Sequence, residues 1–256
     1  MLIYKIPYYF SSCFTLFRQS QNKRSLFAAP FQSTRTITLK NGLQFEFVSL
    51  LDVLIIKETI FDDAYNISHL QNPSRIIDIG GGLGEFAIFA AKTFPDAEII
   101  TFEPNKHFFE LLKKNMLMNN VSNIKAYNIA IGGNNAQDLY IPKEFAEASF
   151  LKTYNAHIIN KVKVKSRPLE EFIDREIDLL KIDCEGGEWE ILSSLPIKKF
   201  QKIKHIALEY HRKAIPNIDR LLYDLLSSAN FICKKKTDPY NTGIGYLFAR
   251  NKRARQ

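Results

Sequence analysis

The chain has 256 residues, 46% of them hydrophobic, and a formal net charge of +8. That length favours one substantial core with additions over two separate domains. The three cysteines, Cys13, Cys184 and Cys233, lack the spacing of a zinc site or a disulfide framework. This use of cysteine indicates a reducing compartment, and we expect a cytoplasmic protein.

Residues 1–45 contain no acidic residue and are rich in Ser, Phe and Tyr. Acid-poor leaders are typical of organelle transit peptides, and a basic aromatic segment can contact a membrane surface peripherally. The apolar stretches here are too short to span a bilayer. We expect residues 1–70 to be a structural extension, comprising a β-hairpin and a helix, that packs on a main domain of residues 71–256.

A β-hairpin and then a helix are predicted before the main domain. Residues 34–49 alternate apolar and polar side chains around Asn41-Gly42, a dipeptide that favours a type I′ turn. Residues 51–65 follow with the apolar period of a helix.

From Arg75 onward, short apolar strands alternate with longer helical segments. The strands are "RIIDI", "AEIITF", "IKAYNIA", "DLLKI" and "HIALEY". This alternation predicts an α/β fold with a parallel sheet and helices on both faces. Ligands of such sheets bind at the carboxyl ends of the strands, so the residues just after each apolar run are the candidates for function.

A glycine-rich turn follows the first of these strands. Asp78 closes the strand, and Gly80, Gly82 and Gly84 let the backbone turn tightly and approach a ligand closely. The spacing is D-x-G-x-G-x-G, and Glu85 stands where the nicotinamide pattern G-x-G-x-x-G has its third glycine.

The second strand end carries an acid in "ITFEPN". Glu103 occupies the place of the carboxylate that accepts hydrogen bonds from ribose hydroxyls in dinucleotide-binding folds. With the glycine turn, it predicts a ribose-bearing cofactor at this edge of the sheet.

Six motifs, in this order along the chain, resemble the FkbM family of S-adenosylmethionine-dependent methyltransferases: "IIDIGGGLGEFAI", "TFEPN", "LLKKNMLMNN", "NIAIGG", "RPLEEFI" and "DLLKIDCEGGEWEIL". The resemblance covers residues 75–211. It departs at Gly81-Gly82, where Ala-Asn is usual, and at Gly187, where Ala is usual. It implies a class I methyltransferase fold, a Rossmann-like, mostly parallel sheet of seven strands, in which "FICKKK" and "GIGYLFAR" form a final antiparallel pair.

The resemblance also implies O-methyl transfer, and it gives the acids after "DLLKI" a context. Asp183 and Glu185 would face the departing methyl group, while Glu188 and Glu190 would lie in the first turn of a helix as structural or solvent-facing residues. "LEYH" ends the next strand with Glu209 and His211.

We hypothesise that Asp183 or His211 is the general base and that Glu185 and Glu209 position the acceptor. A divalent cation shared by these four side chains is an alternative that no tight ligand motif marks.

The expected acceptor is a small molecule or a glycan that carries a hydroxyl group. Its pocket would be built from the N-terminal extension, the hairpin region and residues 141–160. Within the last of these, "PKEFAEASFLKTYNA" could form a lid or a second hairpin over the active site. No nucleic-acid partner is expected, because the basic runs such as "KVKVK" lack interleaved aromatic residues and any nucleic-acid-binding motif. A nicotinamide-dependent oxidoreductase and a non-catalytic cofactor-binding module stay open as alternatives, and the oligomeric state is open as well.

Overall fold

The computed structural model describes residues 6–22, 34–133, 135–142, 158–237 and 243–254. Helices in these ranges are α1 (Ile6–Gln19), α2 (Leu50–Ile60), α3 (Glu85–Thr93), α4 (Lys106–Met118), α5 (Glu188–Ser193), α6 (Ile197–Phe200) and α7 (Ile218–Ser228). Strands are β1 (Arg35–Thr38), β2 (Gln44–Phe47), β3 (Arg75–Ile79), β4 (Glu98–Phe102), β5 (Ile124–Tyr127), β6 (Ala130–Ile131), β7 (Asn135–Pro142), β8 (Ile158–Arg167), β9 (Ile177–Ile182), β10 (Ile203–His211), β11 (Phe231–Thr237) and β12 (Ile244–Asn251).

Seven strands form the central sheet in the order β11-β12-β10-β9-β3-β4-β5. Neighbouring strands from β10 to β5 run parallel, and β12 runs antiparallel to both β10 and β11. The carboxyl ends of β3 and β9 are level, because Ile79 pairs with Ile182. This arrangement confirms the predicted α/β fold, and it places the glycine turn beside the acids that follow β9.

Successive residues of each strand point to opposite faces of the sheet, and each face packs against its own apolar layer. Ile76 packs in one layer with α1, the hairpin, α2, α3 and α4, whereas Ile77 packs in the other with α5, α6 and α7. Leu16 of α1 is 1% exposed and belongs to the first layer, so the N-terminal helix shares the core of the sheet. No helix of the described residues is long and apolar enough to cross a bilayer.

The hairpin forms as predicted from β1 and β2, but the predicted type I′ turn is wrong. Gly42 donates its N–H to the Leu39 carbonyl at 3.0 Å, and within the dipeptide only Gly42 has a positive φ, +88°. The connection is therefore a type I turn followed by a glycine bulge. Such a turn needs a single left-handed residue, and the Asn41 side chain instead accepts the Leu43 N–H at 3.2 Å.

Helix α2 is shorter than the predicted 51–65. Ser49 and Asp52 form a capping box at its start, and the helix ends at Ile60. Asp63 then has a positive φ of 49° and its carboxylate accepts the Ile67 N–H at 2.8 Å. This local turn competes with continued helix and explains the early end.

The predicted single strand "IKAYNIA" is also wrong. It divides into β5 of the central sheet and β6, which joins β7 and β8 in a separate three-stranded sheet of order β6-β8-β7. The alternating "KVKVK" lies in β8, as its pattern predicted. The suggested lid or second hairpin, residues 142–156, lies outside the described residues except for Pro142, which ends β7.

Candidate active site

The glycine turn after β3 lies against the end of β9. Gly80 has φ +83°, and a Cβ atom there would lie 1.6 Å from the Asp183 carbonyl oxygen. Gly84 has φ +93° and stands at the N-cap of α3. These positions require glycine because a side chain would be strained at both and would collide with backbone at Gly80.

Asn115 of α4 fixes the outer side of this turn. Its amide donates to the Leu83 carbonyl at 2.8 Å and accepts the Glu46 N–H at 2.6 Å. One fully buried side chain thus ties the glycine turn to the hairpin.

Asp78, a predicted cofactor ligand, lies beneath the turn and does not line the cleft described below. It accepts from Thr101 Oγ1 at 2.8 Å, and its other oxygen lies 3.0 Å from Lys181 Nζ. Lys181, 1% exposed near the carboxyl end of β9, also donates to the Gly80 carbonyl at 2.7 Å. The buried Asp78–Lys181 pair therefore holds the turn in place from behind.

Glu103 lies at the edge of the turn, where it was predicted. Its two carboxylate oxygens accept the Gly82 N–H at 2.8 Å and the Asn105 N–H at 2.7 Å. A carboxylate has about four acceptor positions, so two stay available for a ligand. Burial raises the pKa of Glu103 to about 7, against the opposing effect of these two N–H groups.

A cleft opens at this edge of the sheet, with about 850 Å³ of empty space when the part open to solvent is included. Its polar wall includes Gly80, Gly82, Glu103, Asp183 and Glu185. Its apolar wall comprises Ile55, Ile79, Leu83, Phe102, Phe108, Ile129, Ile131 and Leu139. The combination of apolar lining with a few directed polar groups is typical of cofactor and substrate sites.

Glu85 is a buried carboxylate on the wall of this cleft. It is 5% exposed, and its Oε2 has no hydrogen-bond partner among the described residues. Burial raises the pKa of Glu85 to about 8, although Lys181 opposes the shift. Such a group is stable when protonated, or when a ligand donates to it.

Glu85→Gln is expected to flatten the pH dependence of stability of the ligand-free protein. The folded-state pKa of about 8 exceeds the ordinary value of 4.5. The contribution of Glu85 to stability is therefore fully present below pH 4.5. It is lost as the pH rises from 4.5 through 8, because only the unfolded chain releases the proton in this range. Urea unfolding should show a small difference between variant and wild type at pH 5, and a gain of about 5 kcal/mol for the variant at pH 9. If stability depended on pH equally in both proteins, the Glu85 carboxyl group would not be buried without a partner for Oε2. The control is Glu110→Gln, on the exposed face of α4.

Asp183 follows β9 on the rim of the cleft. Tyr65 donates to its Oδ2 at 2.6 Å, and Lys181 Nζ lies 3.9 Å from the same oxygen. Both contacts fix the direction of the carboxylate, whose side chain is 24% exposed. The residue is thus oriented and within reach of a ligand in the cleft, as its predicted role requires.

His211 is the centre of a second group of acids. Its Nδ1 lies 2.7 Å from Glu188 Oε1, and its Nε2 lies 3.2 Å from Glu185 Oε2 and 3.4 Å from Glu209 Oε1. The structure therefore brings His211, Glu185 and Glu209 together as the sequence predicted. His211 is 1% exposed and does not itself line the cleft.

Glu188 takes the structural role, one of the two predicted for it, and does not face solvent. It begins α5 as expected, but it is fully buried, bonded to His211 and to the Gly186 N–H at 3.0 Å. Glu190, in the same turn, is exposed. The sharp turn at Glu185 and Gly186, both with positive φ, directs Glu188 inward.

The charge state of His211 separates the two candidate bases. Burial alone would lower the pKa of His211, but the Glu185 and Glu188 carboxylates outweigh it and hold that pKa well above its ordinary value. A histidine that is already protonated cannot accept a proton from an acceptor hydroxyl. The charge of His211, and its position outside the cleft that Asp183 lines, therefore favour Asp183 as the base.

Sequence reasoning missed three contributors to this site. Lys181 carries the buried positive charge, and Tyr65 orients Asp183. Tyr246 of β12 bonds to Glu209. The only signal was a lysine in an otherwise apolar strand, since tyrosines from distant segments have no local pattern.

The fold and this edge of the sheet define a class I methyltransferase. The sheet has the seven-stranded, mostly parallel form with one antiparallel strand, β12, and the glycine turn and Glu103 stand at its cofactor end.

The model of the methyltransferase FkbM domain matches residues 78–233, and the chain belongs to this family. Methyltransferase 1 of Beauveria bassiana is 27% identical over 178 residues, covering 60% of this chain and 72% of that protein. Methyltransferase sdnD of Sordaria araneosa is 26% identical over 208 residues, covering 66% and 80%. Methyltransferase FkbM from Methylobacillus flagellatus KT shares the fold, with a TM-score of 0.51 at 14% identity over 94% of this chain and 58% of that one. Membership of this family supports a methyltransferase over the oxidoreductase and non-catalytic alternatives.

Proposed function

We propose that the protein uses S-adenosylmethionine to methylate a hydroxyl group of a sugar-like or natural-product acceptor. The observation that carries the proposal is the meeting, in one cleft, of the glycine turn, Glu103 and the oriented carboxylate of Asp183. The residues proposed to bind the cofactor and the carboxylate proposed to accept a proton thus line the same cleft.

The described residues fit this cofactor. Glu103 has acceptor capacity left for ribose hydroxyls, and Phe102 and Phe108 offer apolar surface to an adenine ring. Glu85 offers a carboxylate oxygen, Oε2, that has no hydrogen-bond partner among the described residues and suits the ammonium group of the methionine moiety. When bound, the cofactor supplies an electrophilic methyl group on a sulfonium.

The acceptor hydroxyl needs help from the protein, because a protonated alcohol is a poor nucleophile. The Asp183 carboxylate, held by Tyr65, is placed to take the hydroxyl proton as the oxygen bonds to the methyl carbon and the carbon–sulfur bond breaks. The remaining contribution is alignment of the acceptor in a site that excludes water.

The charge and hydrogen-bonding character of the rim supports a polyhydroxylated acceptor. Glu185 and Glu209 are partly exposed beside Asp183, with side-chain exposures of 24% and 14%. Ionised carboxylates only accept hydrogen bonds, so they suit neighbouring hydroxyl donors on one molecule.

The cofactor assignment is tested by calorimetric titration with S-adenosylhomocysteine and, separately, with NAD⁺. We expect wild-type protein to bind only the former. Glu103→Ala should bind it about 10- to 100-fold more weakly, because hydrogen bonds to a charged group are lost. Glu103→Gln, which preserves the side-chain shape, should show a smaller loss.

Glu110→Ala, an exposed change on α4, is the matched control and should bind like wild type. Circular dichroism establishes that each variant is folded before titration. Preference for NAD⁺, or unchanged binding by folded Glu103→Ala, would show that the cofactor edge has been misread.

A further inference from the structure

We propose that Asp183, Glu209 and His211 form a binding site for a divalent cation on the acceptor side of the cleft. The role given to the cation, activation of the acceptor hydroxyl, rests on the proposed O-methyl transfer. Binding of the cation does not depend on O-methyl transfer, so the cation site and the proposed function can be tested separately.

The three side chains already have the spacing of a metal site. One potential ligand atom from each residue lies within 4.8 Å of the others. Ligands of one ion at 2.0–2.3 Å lie at most about 4.6 Å apart, so small rotations of the side chains suffice. Asp183 follows β9 and Glu209 and His211 end β10, so two adjacent strands of the rigid sheet present all three ligands.

Glu188 gives His211 the orientation of a metal ligand. Its carboxylate lies 2.7 Å from Nδ1, and both side chains are at most 1% exposed. Histidine ligands almost always donate their other ring N–H to such a buried carboxylate, which fixes the tautomer and the ring plane. Nε2 is thereby directed towards Glu185 and Glu209, at 3.2 and 3.4 Å, and the cation would replace the proton that Nε2 carries in the ligand-free protein.

The local balance of charge also favours a cation. Asp183, Glu185, Glu188 and Glu209 converge here. His211 supplies one positive charge to these four acids, and Lys181, 3.9 Å from Asp183, is already paired with Asp78. Clustered carboxylates of low exposure need compensating positive charge. Glu185, with φ +53°, is moreover held in a strained left-handed conformation, which is a common feature of functional sites.

Two carboxylates and one imidazole fit a hard or intermediate divalent cation, and Mn²⁺ suits this mixed set. Open coordination positions would be filled by water or by acceptor oxygens. A coordinated hydroxyl loses its proton more readily. Its proton would pass to a carboxylate oxygen of Asp183, the oxygen would bond to the methyl carbon, and the bond from that carbon to sulfur would break.

The test is titration of chelator-treated protein with Mn²⁺, followed by the loss of the electron paramagnetic resonance signal of free Mn²⁺. Wild type should show saturable binding of one ion. Glu209→Gln and His211→Gln should abolish it, and Glu188→Gln should weaken it about 10- to 100-fold. His205→Gln on the same strand and Glu190→Gln in the same helix should bind like wild type.

Titration of every sample with S-adenosylhomocysteine separates this proposal from the proposed function. Retained binding of S-adenosylhomocysteine by the Glu209 and His211 variants would show that they are folded and that only the cation site is lost. Wild type that binds S-adenosylhomocysteine but not Mn²⁺ would overturn the cation site and leave the methyltransferase proposal standing. Mn²⁺ binding that all variants share would also overturn it.

Discussion

Changing Asp183 to asparagine is expected to lower kcat about 10³-fold, within the range by which a positioned general base accelerates proton transfer. Asparagine keeps the shape of the side chain and can still interact with Tyr65, but it cannot accept the acceptor proton. Because Asp183 lies on the rim and Glu103 carries the predicted cofactor contact, affinity for S-adenosylhomocysteine should stay within about threefold of wild type. The measurement is release of S-adenosylhomocysteine with a hydroxylated acceptor chosen by screening a panel.

Two further variants show whether this loss is chemical. Tyr65→Phe removes only the 2.6 Å hydrogen bond to Asp183, so a loss of kcat of about tenfold is expected from poorer orientation. Glu190→Gln changes an exposed acid of the neighbouring helix and should leave kcat unchanged. If Asp183→Asn kept wild-type turnover, the assignment of proton transfer to this strand end would be wrong.

The cofactor half of the site could be predicted from the sequence because it depends on local constraints. Gly80 must adopt a positive φ and approach another strand closely, and only glycine does so readily. Glu103 follows a buried strand directly, so its distance from the glycine turn is set by the parallel sheet. Both residues lie where the pattern of strands and turns predicted.

The acceptor half could be predicted only in part. Asp183 and Glu209 end adjacent strands, so their proximity follows from strand order. The inward direction of Glu188 does not, because it depends on the unusual φ at Glu185. Tyr65 reaches Asp183 across 118 positions of the chain, and no local period encodes that contact.

Lys181 is a buried charged residue within a strand whose sequence is otherwise apolar. The strand "DLLKI" was interpreted as continuously apolar, and its burial on both faces is confirmed. Its lysine is nevertheless buried, because Asp78 on the adjacent strand supplies a counter-charge at 3.0 Å. A charged residue in a core strand therefore predicts an opposite charge on a neighbouring strand.

Replacing Lys181 with methionine should accordingly destabilise the protein by about 3–5 kcal/mol, the usual cost of leaving one partner of a buried ion pair uncompensated. Methionine fills a similar volume, so the loss reports the charge and not a cavity. Urea denaturation at pH 7 measures it. Lys125→Met, which breaks an exposed contact with Glu98 at the edge of the same sheet, is the matched control and should change stability little.

The double variant Lys181→Met/Asp78→Asn tests the cause of this loss. Without either charge, much of the lost stability should return, because no uncompensated ion remains buried. Binding of S-adenosylhomocysteine should be weakened in Lys181→Met and equally in the double variant, since both lack the hydrogen bond from Lys181 to the Gly80 carbonyl. If the double variant were no more stable than Lys181→Met, the lysine would matter for packing and not for charge. If it bound the ligand like wild type, the glycine turn would hold its shape without the pair, and Asp78 and Lys181 would serve stability alone.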